Sequence, residues 1–256
     1  VVIASISIFL KSRKYMRTKY GLIGASLAHS FSKKYFTEKF AALDVDAVYD
    51  NYELQAAELK DFLVSTDCNF FNVTIPYKQT IFSLVQMPDE IAKSVQACNC
   101  IKRVDGLWHA TNTDAIALEQ ILSGYQLQEG TRALICGTGG ASAAVQYACK
   151  QVGIPFILVS RRQALGTILY DDVSEQLLAK YQLIINTTPL GMYPNTGAAP
   201  PLPYAAVSAK HTVLDLVYNP ESTLFLQKCA QQGARVENGI NMLKLQAEAS
   251  WQYWLS

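Results

Sequence analysis

Apolar residues recur along this chain at two periods, one near two and one between three and four, and they alternate between the two. Lys19–Gly24 is a short apolar run closing on glycine, which predicts a first strand. In Ser32–Leu43, Tyr35, Phe36, Phe40 and Leu43 sit at helical spacing and predict an amphipathic helix. Ala47–Leu54 alternates and predicts a strand, and Glu58–Ser65 a helix. Asn69–Pro76 reads as a strand closed by a proline, which has no N–H for a ladder. Pro88–Gln96 reads as a helix with proline near its start. Asn99–Val104 and Leu107–Ala110 flank Asp105-Gly106, the dipeptide of a tight hairpin. Up to about residue 110 the pattern is that of an α/β unit.

The second half has longer, more continuous apolar runs. Thr131–Cys136, Pro155–Ser160, Tyr181–Thr187 and Thr212–Tyr218 predict buried strands, with a short one near Arg235-Val236. Between them lie helical segments from Gly137 to about Val152, at Val173–Lys180 and at Thr223–Gln232. That succession predicts a doubly wound parallel sheet. Tyr193–Pro203, with four prolines, reads as a loop. Gly239–Leu255 reads as a final helix with Leu243, Ala247, Trp251 and Trp254 near one face.

Length and charge narrow the class. At 256 residues the chain holds one large or two modest domains. Lys and Arg number 22 against 21 Asp and Glu, so no concentrated basic face points to nucleic acid. The six cysteines are scattered, and Cys98 and Cys100 lack a second close Cys/His pair, so no metal site and a reduced, cytoplasmic setting are expected. The apolar N-terminal run is followed, not preceded, by Lys11, Arg13 and Lys14, and is too short to span a bilayer; residues 1–15 read as an upstream extension without a catalytic role.

The chemistry begins at Gly137-Thr138-Gly139-Gly140-Ala141, set between a strand and a helix. Glycines there allow a tight turn and close backbone approach, and the helix N-terminus attracts a pyrophosphate. At the end of the next strand, where an NAD site usually carries an acid, stand Ser160, Arg161 and Arg162. A guanidinium fork suits a 2′-phosphate, so NADP is expected over NAD. Lys78 follows a strand end and a proline, and Asp114 lies where the halves meet. In hydride transfer a lysine can give or take the proton of the reacting oxygen, and a carboxylate can hold it in place. Ser30 and Ser32 follow the first strand and could bind a carboxylate or hydroxyls; Ser32 equally reads as a helix N-cap. His29 beside them has no orienting partner in sequence and is not assigned a role.

Taken together these motifs resemble the shikimate dehydrogenase family from Lys19 to the end. The matching pieces are Gly21–Gly24 with Ala28–Ser32, Asn72–Lys78, Ala97–Asn99, Asn112–Asp114, Gly137–Ala141, Asn186–Met192, Asp215–Tyr218 and Gly239–Ala247. The resemblance implies two domains: a substrate-binding one over 1–113, completed by 240–256 as the terminal helix returns, and a Rossmann-like NADP-binding one over 114–239. It implies NADPH-dependent, reversible reduction of 3-dehydroshikimate to shikimate, toward aromatic amino acids, by a cytoplasmic monomer or homodimer with no nucleic-acid or membrane partner. By the same resemblance Lys78 and Asp114 are the catalytic pair. Ser30, Ser32, Thr74, Asn99, Tyr218 and Gln246 are substrate contacts. Gly137–Ala141, Arg161, Leu216 and Gly239 are cofactor positions; Glu90 reaches the nicotinamide side, and Arg162 stands in for a further arginine. The sequence departs from the family at Ala117, usually glycine, at Leu165, usually arginine, at Lys33, usually proline, and at Ala25-Ser26, often bulkier. Alternatives are an NAD-dependent quinate/shikimate dehydrogenase, a folate-type dehydrogenase, and a non-catalytic binding module on the same fold.

Overall fold

The computed structural model describes residues 17–28 and 30–256. His29 and the expected extension over 1–15 lie outside the described residues. The chain forms two compact units. One runs to Thr113 and takes in Ala247–Ser256; the other is Asp114–Gln246.

The first unit holds β1 (Thr18–Gly24), α1 (Phe31–Ala42), β2 (Ala47–Glu53), α2 (Leu59–Ser65), β3 (Phe70–Val73), α3 (Lys78–Phe82), β4 (Met87–Pro88), α4 (Glu90–Val95), β5 (Cys100–Val104) and β6 (Leu107–Thr111). Its strands pair in the order β2-β1-β3-β5-β6-β4. β1, a run buried from Tyr20 to Gly24, sends successive side chains to opposite faces. Tyr20 and Leu22 join a cluster with Phe36, Phe40, Tyr49, Trp251 and Trp254, while Ile23 joins one with Leu59, Phe71, Ile81 and Trp108. The end of the last helix, α9 (Ile240–Leu255), therefore covers one face of this sheet beside α1, and Trp254 Nε1 donates to the Ile101 carbonyl at 3.2 Å. The β5–β6 turn takes positive φ at Asp105 (50°) and Gly106 (79°), the geometry that hairpin twist favours.

The second unit holds α5 (Thr113–Gly124, begun by the last residue of the first), β7 (Ala133–Cys136), α6 (Gly140–Gln151), β8 (Phe156–Ser160), β9 (Thr167–Leu169), α7 (Glu175–Leu178), β10 (Leu183–Asn186), β11 (Thr212–Asp215), α8 (Leu224–Gln231), β12 (Arg235–Glu237) and the start of α9. The strands pair in parallel throughout, in the order β12-β11-β10-β7-β8-β9. β7 and β10 are buried at every position, which is why they read as continuous apolar runs. The order reverses between β7 and β10, the switch point at which doubly wound sheets bind ligands.

Several boundaries differ from the sequence reading, for local reasons. The Asn69–Pro76 strand stops at Val73, because Thr74 accepts the N–H of Tyr77 and begins a turn. Met87–Pro88 pairs with β6, and Asp89 caps the helix that follows, so the helix is Glu90–Val95 and not Pro88–Gln96. Ser174 caps α7 and confines it to four residues. The N-cap of α1 is Ser30, whose Oγ accepts the Lys33 N–H at 3.3 Å; Ser32 lies inside the helix. α3, β4 and β9 are too short to show a period. α5 is twelve residues long and did carry one, in Leu118, Ile121 and Leu122, all buried. The returning segment joins the first unit from Ala247, seven residues later than the sequence reading began it. No helix among the described residues is long and apolar enough to cross a membrane.

Candidate active site

In the first unit the predicted site residues gather at one end of the sheet. β1 and β3 run parallel, and β3, β5 and β6 alternate in direction, so the ends of β1, β3 and β6 lie beside the start of β5. Ser30 and Ser32 follow β1, Thr74 and Lys78 follow β3, and Asn99 precedes β5. The serine loop is pinned at Leu27, whose N–H donates to Glu53 Oε1 at 2.7 Å and whose carbonyl accepts Asn51 Nδ2 at 3.1 Å. A Cβ on Gly24 would lie 2.8 Å from Thr74 Cγ2, so glycine there is what lets the loops after β1 and β3 close on each other.

Lys78 is the first residue of α3, and its carbonyl accepts the Cys98 N–H at 3.1 Å. The next residue, Asn99, is 3% exposed. Its Oδ1 accepts both the N–H of Thr113 at 2.6 Å and the Thr113 hydroxyl at 3.2 Å. Asn112 Nδ2 donates to the Ala97 carbonyl at 3.0 Å. Two adjacent residues, Cys98 and Asn99, thus fix the turn that carries Lys78 and the turn that delivers Asp114.

A buried polar network supports this arrangement, and most of it was invisible in sequence. Tyr49 hydrogen-bonds Ser32 and donates to Asn72 Oδ1 at 2.9 Å. Asn72 Nδ2 donates to Ser250 Oγ at 2.8 Å and to the Asn99 carbonyl at 3.3 Å. Ser250 Oγ meets Thr113 Oγ1 at 3.1 Å. Complete burial pushes the Tyr49 phenol well above its ordinary range, so it acts only as a neutral hydroxyl. Asn72 and Ser250 stand in apolar segments, where a lone polar residue in a core stripe was the available signal.

In the second unit Gly137 adopts φ +108°, and a Cβ there would lie 2.6 Å from Thr187 Oγ1. Gly139 is the N-cap of α6 and offers no side chain to its first-turn N–H groups. A Cβ on Gly139 or Gly140 would meet no protein atom within 4 Å. Packing therefore demands the first glycine, while the other two leave open space over a helix N-terminus, the donor set that a pyrophosphate fits. Arg161 and Arg162 are exposed at the end of β8, where the Arg162 N–H donates to Ser160 Oγ at 3.2 Å. Leu165 projects fully into solvent. A Cβ on Gly239 would lie 2.4 Å from the Leu216 carbonyl oxygen, so these two residues, both expected at the cofactor, pack closely against each other.

A family model described as the shikimate dehydrogenase substrate binding domain matches residues 22–101. The chain is 32% identical over 243 residues to the NADP(+) shikimate dehydrogenase of Methanosphaera stadtmanae, covering 87% of this chain and 86% of that one. This chain belongs to the shikimate dehydrogenase family. It is 33% identical over 257 residues to the corresponding Shouchella clausii enzyme, covering 93% of each. A shikimate dehydrogenase crystal structure in complex with NADP+ superposes with a TM-score of 0.82 at 28% identity, covering 93% of this chain and 89% of that one. The fold is accordingly the family's: an N-terminal α/β substrate domain and a Rossmann-like second domain, with the terminal helix returning to the first.

The remaining predicted residues lie on other segments. Asp114 opens the second unit in the first turn of α5. Tyr218 is exposed, and Gln246 donates to the Leu243 carbonyl at 3.0 Å within α9. Glu90 lies in the first unit, largely exposed and ion-paired with Lys93 at 2.8 Å. Among the described residues no group of His, Cys, Asp and Glu could hold a metal ion, and all six cysteines are buried free thiols. Burial pushes Cys98 up to about 12, leaving it a neutral packing group.

Proposed function

We propose that the protein is an NADP-dependent shikimate dehydrogenase, a soluble cytoplasmic enzyme, monomeric or homodimeric, that interconverts 3-dehydroshikimate and shikimate. The observation that carries this reading is the joint anchoring of Lys78 and the Thr113–Asp114 turn through Cys98 and Asn99, in a chain of this family.

The loop Gly137–Ala141 holds the pyrophosphate on the α6 N-terminus, and Arg161 with Arg162 holds the 2′-phosphate. Leu216 and Gly239 are further positions that would hold the cofactor, and Glu90 is one that would meet its nicotinamide side. When bound, NADPH supplies the hydride that reaches the C3 carbonyl carbon. Lys78 gives its ammonium proton to the oxygen as negative charge builds there, and takes it back in the oxidative direction. Asp114 is the charge partner that orients Lys78. Ser30, Ser32, Thr74, Asn99, Tyr218 and Gln246 bind the carboxylate and hydroxyls of the substrate. Asn99 Oδ1 is already committed to Thr113, so its amide N–H₂ is the group that meets a substrate hydroxyl.

The test is the absorbance of reduced nicotinamide with shikimate or quinate, each with NADP or NAD. The expected result is turnover of shikimate with NADP well above the other pairs. Quinate and NAD as the better pair identifies the alternative enzyme, and calorimetric binding without turnover identifies a non-catalytic module.

A further inference from the structure

We infer that Asp215 is a positioning residue for the dinucleotide: its buried side chain locks the turns after β7, β10 and β11 together, and so sets cofactor affinity without touching the cofactor. The inference rests on the reading of Gly137–Ala141 as a phosphate loop.

Asp215 ends β11 and is completely buried. Its Oδ1 accepts Asn186 Nδ2 at 2.9 Å and the Val217 N–H at 3.0 Å, and its Oδ2 accepts the Thr223 hydroxyl at 2.6 Å. Asn186 in turn spends its own Oδ1 on the N–H of Thr188 at 3.0 Å and on the Thr188 hydroxyl at 2.7 Å. Thr187, between them, donates its hydroxyl to the Cys136 carbonyl at 2.7 Å and crowds Gly137. A continuous path therefore runs from Asp215 through Asn186 and Thr187 to the first glycine of the phosphate loop.

A second path runs the other way. Holding the Val217 N–H fixes the Leu216–Tyr218 turn, whose Leu216 carbonyl lies against Gly239 and whose Val217 carbonyl accepts the Gly239 N–H at 3.2 Å. Thr223, held by Oδ2, is also the N-cap of α8, accepting the Leu226 N–H at 3.3 Å. These turns lie at the carboxyl ends of the strands flanking the switch point, where backbone groups meet a bound nucleotide.

The chemical make-up of the site argues against a purely structural role. The carboxylate accepts from a side-chain amide, a backbone N–H and a hydroxyl, three neutral donors. Burying a charge this way is costly, and an apolar residue of similar size would stabilise the core better. What the carboxylate provides that an apolar residue cannot is a single geometry for three turns at once.

The experiment compares Asp215→Ala and Asp215→Asn in the full chain, reading the NADP dissociation constant by calorimetry, the separate KM values for NADP and shikimate, and the melting temperature. An amide at this position still accepts from Asn186 and Val217 and still bonds the Thr223 hydroxyl. Asp215→Ala is expected to weaken NADP binding, measured without shikimate, by roughly tenfold or more and to raise the NADP KM by a larger factor than the shikimate KM, which it reaches only through the Tyr218 turn, and Asp215→Asn to recover most of the loss. If Asp215→Ala does not fold, Asn186→Ala replaces it, with an NADP loss of about threefold expected from breaking one path. The inference is overturned if a folded Asp215→Ala protein, or in its place Asn186→Ala, binds NADP as tightly as wild type. It is equally overturned if the shikimate KM rises by as large a factor as the NADP KM, or if Asp215→Asn is as weak as Asp215→Ala. Absence of NADP binding by the wild-type protein would instead remove the phosphate-loop reading, and this inference with it.

Discussion

Asn99 Oδ1 accepts the backbone N–H of Thr113 at 2.6 Å, and the residue before Asn99 donates its own N–H to the carbonyl of Lys78. The turn that opens with Lys78 and the turn at Thr113, the residue before Asp114, thereby share two consecutive residues as their anchor. Backbone hydrogen bonds at this density fix where a side chain starts, and that is the part of an active site a flexible lysine cannot supply for itself.

The first prediction concerns Lys78. Lys78→Ala is expected to lower kcat by about 10²–10⁴-fold, the usual worth of a positioned general acid, with the shikimate dissociation constant changed little. Steady-state kinetics together with calorimetry of shikimate binding checks this, and near-normal kcat would exclude the assignment.

Asn99→Ala should act at two levels. It leaves the buried Thr113 N–H without its acceptor, costing about 1–3 kcal/mol in stability. It also releases the Asp114 turn, so kcat falls beyond any rise in the shikimate KM. Chemical denaturation measures the first effect and kinetics the second. A variant with wild-type stability would show that water replaces the lost acceptor.

Two glycines of one loop should fail for different reasons. Gly137→Ala puts a Cβ at φ +108° and 2.6 Å from Thr187 Oγ1, so the melting temperature should fall along with activity. Gly139→Ala meets no protein atom, so it should melt like wild type and yet bind NADP more weakly. Equal melting temperatures for both variants would contradict the geometry.

Arg161→Ala and Arg162→Ala should weaken NADP binding while leaving NAD binding unchanged, because only NADP carries the 2′-phosphate. A loss of about 1.5–3 kcal/mol, the worth of a hydrogen bond to a charged group, is expected for whichever arginine makes the main contact. Parallel loss for both nucleotides would place the arginines elsewhere.

Asp215 should leave a signature in the pH dependence of stability. Burial raises its carboxyl from 3.8 to about 6, so the folded state holds a proton across that window that the unfolded state has released. Its stabilising contribution is complete below about 4 and is lost as pH rises through about 6, amounting to about 3 kcal/mol. The nearby Cys136 and Cys229 thiols are held up at about 12 and do not titrate in this range. Denaturation of wild type and Asp215→Asn at intervals from pH 4 to 7 should show this fall only in wild type. Parallel curves would contradict the burial of the charge.

The sequence by itself determined the class of each half and nominated the candidate site residues. Continuous apolar runs such as Leu183–Asn186 mark strands covered on both faces, and so does the short apolar run of β1. Glycines in a strand–turn–helix context, and arginines where an acid would stand, are local chemistry and were legible as such. Asp105-Gly106 specified its own hairpin, because only a few residues adopt two consecutive positive φ values.

Tertiary structure decided what no local pattern contains. That Ser30 and not Ser32 caps α1 depends on where the loop from β1 is pinned, and Glu53 and Asn51 on the next strand do the pinning. That Asn99 serves Thr113, that Ser250 joins Asn72 to Thr113, and that Asp215 ties Asn186 to Val217 and Thr223 are contacts between segments up to 178 residues apart. Periodicity reports only which side of an element is buried. A buried polar residue acquires its partners from other elements, and those become neighbours only when the sheets assemble.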